Sequence, residues 1–209
     1  MEEYQQVRKI AVANYRDTKE TESIRSKVVL AAAQLFFRKG FSNSTVKEIA
    51  TAAEVKTSTL MYEFGSKEEI LRELMAHTLE MQFEETEELL KDKTDDPVLF
   101  YATETVLQLH IAERNEHLRE LYGSAYSLPK TTEIIQKKIT GKLEELFKEY
   151  LPKYETKDFF EIEIALGGIM RGFMMMPCDM YFTMERKVKR FLKSTFLVCQ
   201  IPEEKIEEA

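Results

Sequence analysis

The sequence predicts an all-α protein of about nine helices, a small three-helix head followed by a larger helical body. Three observations predict it. The 209 residues include only seven Gly, five Pro and no Trp, while the good helix formers Leu, Glu, Lys, Ala and Met are abundant. Apolar residues recur at three- and four-residue spacing along most of the chain. Capping residues and breakers divide that pattern into helix-length pieces, and no alternating run reads as a credible strand.

In residues 1–22, Tyr4, Val7, Ile10 or Ala11, and Tyr15 fall at roughly helical spacing among interleaved charges, either a frayed terminus or a basic arm. Ser23 is placed to cap the first firm helix, whose Ile24, Val28, Ala31, Ala32, Leu35 and Phe36 form one stripe until Gly40 stops it. Thr45 and Glu48 make a capping box, hydroxyl and carboxylate each satisfying the other's orphan backbone donor. The short second helix buries Val46, Ile49, Ala50 and Ala53. After a break at Glu54–Lys56, a third helix runs from about Thr57 to Glu63, with Leu60 and Phe64 inward, and Gly65 ends it. Ser66 and Glu69 repeat the capping box and open a long fourth helix to about Lys91.

Asp96-Pro97 supplies an N-cap and first-turn proline for a helix ending near Arg114. Helices over about His117–Ser127 and Thr131–Tyr150 follow. Asp158 with Glu161 opens "DFFEIEIALGGIMRGFMMM", which ends before Pro177, and the last helix spans about Met184 to Cys199. The expected divisions are an N-terminal extension at 1–22, a head at 23–68 and a body at 69–209.

Composition narrows the function classes. The net charge of −7 argues against nucleic acid, but it is unevenly spread. Residues 23–67 hold seven Lys/Arg against three acids, a net of +4, whereas residues 68–209 hold 19 against 29, a net of −10. Cys178 and Cys199 have no metal-like spacing and read as two buried thiols of a reducing cytosol. No apolar leader opens the chain and no run approaches the ~18 residues of a membrane span, so a cytoplasmic protein without membrane contact is expected. No Gly-rich phosphate loop, GxSxG, HExxH or paired ExxH is present, which argues against an enzyme and against a cofactor. His110, Glu113 and His117 fall at i, i+3 and i+7, either a metal-ligating row or surface residues; no metal site is expected.

Three short helices with a tight break between the second and third describe a helix-turn-helix, in which Ala50 and Ala53 permit close crossing and Val55 plugs the turn. The run "SIRSKVVLAAAQLFFRKGFSNSTVKEIATAAEVKTSTLMYEFGSKEEIL" resembles the DNA-binding region of TetR-family transcriptional regulators. The resemblance is carried by Arg25, Ala31-Ala32, Phe36, Gly40-Phe41, Ser44-Thr45-Val46, Ile49-Ala50, Ala53, Val55, Thr59-Leu60, Tyr62, Phe64 and Ser66-Lys67-Glu68-Glu69. It implies a homodimeric transcription factor, most often a repressor, released from a palindromic DNA operator by a small-molecule effector.

With Leu60 inward on a helical wheel, Ser58 and Tyr62 face away from the core and Thr57, Thr59 and Met61 flank them, on the side the resemblance assigns to the major groove. Thr45, Lys47, Lys56 and Lys67 are expected at phosphates. Residues 1–22 would then be an arm reaching a groove, if not frayed. The chain departs from the family's usual Gly or Asn at Glu54, Ser at Lys56, Tyr at Met61 and His or aromatic at Glu63. Glu63 either accepts from cytosine, pairs with Lys67, or lies on a solvated flank. These departures keep a second reading open, a helical dimer whose degenerate head serves as a protein-interaction module.

The body is expected to enclose the effector among Met75, Leu79, Phe83, Phe100, Tyr101, Thr105, His110, Tyr122 and Tyr126, each of which could equally be core. The last two helices are expected to pair between subunits through Ile162, Leu166, Ile169, Phe173, Phe191, Leu192 and Phe196, with Gly167, Gly168 and Gly172 allowing close approach. The Met170–Met184 cluster is interface or core filling, or else a pliable pocket wall.

Overall fold

In a computed structural model, residues 23–202 together with Glu204 and Lys205 are described, and the expectations for residues 1–22 lie outside them. The described residues form nine α-helices and no strand: α1 Ile24–Lys39, α2 Val46–Ala52, α3 Thr57–Phe64, α4 Lys67–Leu90, α5 Pro97–Arg114, α6 Glu116–Ala125, α7 Pro129–Phe147, α8 Thr156–Met175 and α9 Met184–Val198.

The helix ends follow the capping chemistry. Ser26 N–H donates to Ser23 Oγ at 3.2 Å, Val98 N–H to Asp96 Oδ1 at 2.9 Å and Arg186 N–H to Thr183 Oγ1 at 3.4 Å. The Thr45–Glu48 box is complete: Thr45 N–H reaches Glu48 Oε2 at 2.9 Å and Glu48 N–H reaches Thr45 Oγ1 at 3.3 Å. At α4 only the Ser66 limb matches expectation, since the Glu69 carboxylate goes to Lys130 and Arg72. At α8 the start lies earlier than expected: Asp158 is the reciprocal partner, accepting from Glu155 N–H at 2.7 Å. Helix α7 starts earlier than the expected Thr131, with Pro129 in its first turn, where its missing donor costs nothing.

The chain divides into two compact units. One runs to Met81 and takes in Glu116–Ile134; the other holds Gln82–Asn115 and the chain from Ile135 onward. In the first unit α1 packs on α2, α3 and α6. Val28, Ala32, Phe36, Ile49, Leu60, Ile70 and Leu71 are fully buried there. Truncating Leu60 to Ala in such a core costs about 2–5 kcal/mol. In the second unit α5, α8 and α9 pack together. The Tyr101 ring lies between Phe147 and Phe196, with centroids at 5.6 and 5.7 Å. The buried Lys187 ammonium meets Glu113 at 2.6 Å, and Glu113 also accepts from Cys178 N–H at 2.9 Å.

Candidate nucleic-acid interface

The turn between α2 and α3 is built around a residue with a left-handed backbone. Glu54 has φ 57°; its N–H donates to Thr51 O at 3.2 Å and Val55 N–H reaches back to Ala50 O at 3.0 Å. These are the two hydrogen bonds of a Schellman C-cap, with Val55 as the residue that plugs the turn. The position suits Gly or Asn, and a side chain there carries strain of about 1–2 kcal/mol.

From this turn α3 projects one face outward. Leu60 and Phe64 are buried, while Lys56, Thr57, Ser58 and Met61 are exposed and Tyr62 is 88% exposed. Thr59 is half-buried at the edge of that face. An 88% exposed tyrosine on a rigid helix offers a ring and a hydroxyl to a partner that is not part of this chain. Lys47 and Lys56 are exposed as well.

The remaining polar groups of the head work mainly within it. Thr45 Oγ1 is spent on Glu48, at 2.6 Å. Glu48 is drawn down to about 2, chiefly by Lys39, whose ammonium lies 2.6 Å away, and then by Thr45. Lys67 differs most from expectation: its ammonium donates to Phe41 O at 2.7 Å and to Ser44 O at 2.9 Å, and stands 4.2 Å from the Phe41 ring centroid. Two of its three donors thus hold the loop between α1 and α2. Burial lowers its pKa from the usual lysine value, with Glu120 opposing that shift.

Glu63 pairs with Arg25, not Lys67. Its carboxylate is 3.7 Å from the guanidinium, which also donates to the Glu63 carbonyl at 2.6 Å, covers the Phe64 ring at 4.3 Å and engages Glu73. The negative charge is therefore answered on the inner side of α3.

The α1–α2 loop is gripped from α6 as well. Ser42 N–H donates to Glu120 Oε1 at 2.7 Å, and a Cβ at Gly40 would collide with Glu120 Oε2. Gly40, at φ 84° and ψ 161°, also occupies backbone space that other residues avoid. Glu120 belongs to the head's machinery although it lies far along the chain, and nothing local in the sequence marks it.

The expected effector residues fall into two groups. Met75, Leu79 and Tyr122 are buried and Tyr126 half-buried in the first unit. In the second, Tyr101 and Thr105 are buried, while Phe83 and Phe100 are half-buried and share the Lys142 ammonium at 5.5 and 4.7 Å. His110 is exposed. Sequence reading missed Glu104, Gln108 and Glu163, all buried in the second unit. Glu104 and Gln108 share a helix face with Tyr101 and Thr105, a polar intrusion in an apolar stripe that was there to be read.

Ile162, Leu166, Phe191, Leu192 and Phe196 are buried within their own chain, and Phe173 packs on Phe182 and Phe191, at centroid distances of 6.3 and 5.7 Å. They are core because α5, α8 and α9 close on them. Ile169 is half-buried. The outward face of α8 carries Phe160, Ile164, Gly168, Gly172 and Met175, and Leu197 is exposed on α9. A Cβ at Gly168 or Gly172 would meet nothing within 4 Å. Cys199 is buried and pushed up to about 12 by that burial, whereas Cys178 is only half-buried. Among the described residues, no helix is long and apolar enough to cross a membrane and no group of three or more His, Cys, Asp or Glu is arranged to hold a metal ion.

Residues 28–74 match the family described as bacterial regulatory proteins, tetR family. The chain is 26% identical over 127 residues to the HTH-type transcriptional repressor NicS of Pseudomonas putida, covering 51% of this chain and 59% of NicS, so the match spans little more than half of that relative. Two solved structures share the fold. RolR in complex with resorcinol has a TM-score of 0.66 at 17% identity, over 88% of this chain and 91% of that one. FadR of Thermus thermophilus, a TetR-family transcriptional repressor in complex with lauroyl-CoA, has a TM-score of 0.62 at 18% identity, over 84% and 93%. Residues 28–74 thus match the tetR family of bacterial regulatory proteins, and the chain shares its helical fold with RolR and FadR.

Proposed function

We propose that the chain is a DNA-binding transcriptional regulator, a homodimeric repressor released from a palindromic operator by a small-molecule effector bound in the body. The observation that carries this is the outward face of α3. Tyr62, Ser58 and Thr57 are exposed on a helix whose opposite side is locked by Leu60, Phe64 and the Arg25 guanidinium. That face enters the major groove, with Ser58, Thr57 and Thr59 at base edges, Tyr62 at a thymine methyl or the sugar–phosphate backbone, and Lys47 and Lys56 at phosphates. Thr45 and Lys67 shape the entry of α2 instead of supplying full phosphate contacts. Binding of resorcinol by RolR and of lauroyl-CoA by FadR, on the same fold, supports an effector in the body.

Dimerisation uses the outward face of α8 with Leu197 of α9. Phe160, Ile164 and Met175 supply apolar area, and Gly168 and Gly172 let the partner helix approach. A two-fold dimer suits a palindromic operator whose half-sites lie one duplex turn apart, roughly 34–36 Å. The rival reading, a degenerate head serving protein partners, loses support from the Glu63–Arg25 pair, since that charge does not confront phosphate. Footprinting of a bound genomic fragment tests the proposal. Two protected half-sites one turn apart are expected; a single protected site, or none, would reject it.

A further inference from the structure

The second unit contains two buried carboxyl groups. Glu104 on α5 is 5% exposed and Glu163 on α8 is 2% exposed. Burial pushes Glu104 up to about 7 and Glu163 up to about 8. On Glu163 the charge of Glu104 raises it further. Lys142 is the cation that Glu104 senses, yet its ammonium is held by Glu145 at 2.8 Å and Glu87 at 3.1 Å.

An orphaned acceptor lies against this pair. Gln108, 2% exposed and one turn beyond Glu104, donates its amide Nε2 to the Glu104 carboxylate, and its Oε1 has no donor. Turning the amide over would only exchange the orphan acceptor for an orphan donor. An unmet acceptor beside buried carboxyls is costly in a packed interior, and the cost disappears when a donor-rich group arrives. The surroundings suit an organic body. Tyr101 senses both carboxyls and meets Thr195, and its ring packs at a tilt against Phe147 and Phe196.

We propose that Glu104, Glu163 and Gln108 form the floor of a site for a lipophilic organic cation, a protonated amine on an aromatic or aliphatic body. The ammonium donates to the carboxylates and to Gln108 Oε1, while Tyr101, Phe147 and Phe196 take the apolar portion and offer ring faces to the charge. The inference rests on the reading that the body binds an effector. Its ligand class is set by these residues and not by the relatives, since neither resorcinol nor lauroyl-CoA is a cation.

The test uses the full chain and three probes of one skeleton: 4-phenylbutylamine, 4-phenylbutanol and 4-phenylbutanoate, with bulkier aryl amines and their alcohols to cover size. Titration calorimetry should find amine binding at least about tenfold tighter than the matching alcohol, and no carboxylate binding, as expected for charge-assisted bonds. Glu104→Gln and Glu163→Gln mimic the protonated acids in shape, and each should bring the amine to the level of its alcohol with an unchanged far-UV spectrum. The proposal fails if alcohols bind as well as amines, if the carboxylate binds best, if no amine binds, or if both variants keep full amine affinity. Adding the bound amine to a protein–DNA complex tests the regulatory reading separately: binding without release keeps the site and rejects the effector role.

Discussion

Lys67→Ala separates two roles that one lysine could play. As a phosphate contact, Lys67 would matter only in the complex: its loss would leave the free protein's stability unchanged and lower the salt slope of DNA binding by about 0.9. The structure instead gives its ammonium to Phe41 O at 2.7 Å and Ser44 O at 2.9 Å, above the Phe41 ring. A hydrogen bond to a charged donor contributes about 1.5–3 kcal/mol, and a partly exposed cation over a ring about 0.5–1 kcal/mol. Burial lowers the lysine's pKa and offsets part of this, and water reaches the freed carbonyls, leaving roughly 1–2 kcal/mol. For a chain of this length that is a fall of a few degrees in melting temperature. The expected result in urea denaturation is a lower midpoint, with weaker DNA binding at an unchanged salt slope because the loop that carries α2 has lost its shape. An unchanged midpoint together with a slope reduced by about 0.9 would refute the reasoning.

Four further outcomes are expected. Glu54→Gly removes the penalty of φ 57° and should stabilise the protein by about 0.5–1 kcal/mol after the entropy of glycine is counted; a lower denaturation midpoint would contradict the strained turn. Tyr62→Ala alters an 88% exposed side chain, so stability should move by less than about 0.5 kcal/mol while operator affinity drops at least about tenfold, by gel shift. The fold holds Glu104 and Glu163 protonated above their ordinary 4.5, at about 7 and about 8, so their stabilising contribution is full at low pH and is lost as pH rises through that window. Urea midpoints should therefore fall between about pH 4.5 and 8, and Glu163→Gln should flatten the fall; equal slopes in parent and variant would show that Glu163 does not titrate there. Ile164→Asp places a charge on the outward face of α8, where the side chain is 53% exposed, and should give monomers in sedimentation with helicity intact; dimers of undiminished strength would move the interface elsewhere.

Helix boundaries were legible because capping is local. Ser23, Thr45 with Glu48, Asp96-Pro97 and the glycines at 40 and 65 each announce a terminus within four residues of themselves. The outward face of α3 was legible for a similar reason, since Leu60 and Phe64 fix the wheel on which Ser58 and Tyr62 point away. What failed depends on distant contacts. Lys67 stands at a helix start, where a cation could meet phosphate, and only the fold of the loop 26 residues earlier brings Phe41 O to it. Helix α8 carries two apolar stripes, Ile162–Leu166–Met170–Met174 and Phe160–Ile164–Gly168–Met175. Periodicity cannot say which one meets α5 and α9. Glu104 and Glu163 were passed over because a glutamate is usually solvated; their positions on buried stripes were the signal against it.

Selection of bound fragments from a bacterial genome by the purified protein, repeated from low to physiological salt beside Tyr62→Ala, tests the central claim most directly. The account predicts one or a few palindromic fragments retained at physiological salt, an affinity that falls as salt rises, and loss of that selection in Tyr62→Ala. Fragments retained without sequence preference, or retained equally by Tyr62→Ala, would contradict the assignment of α3 as the DNA-reading helix.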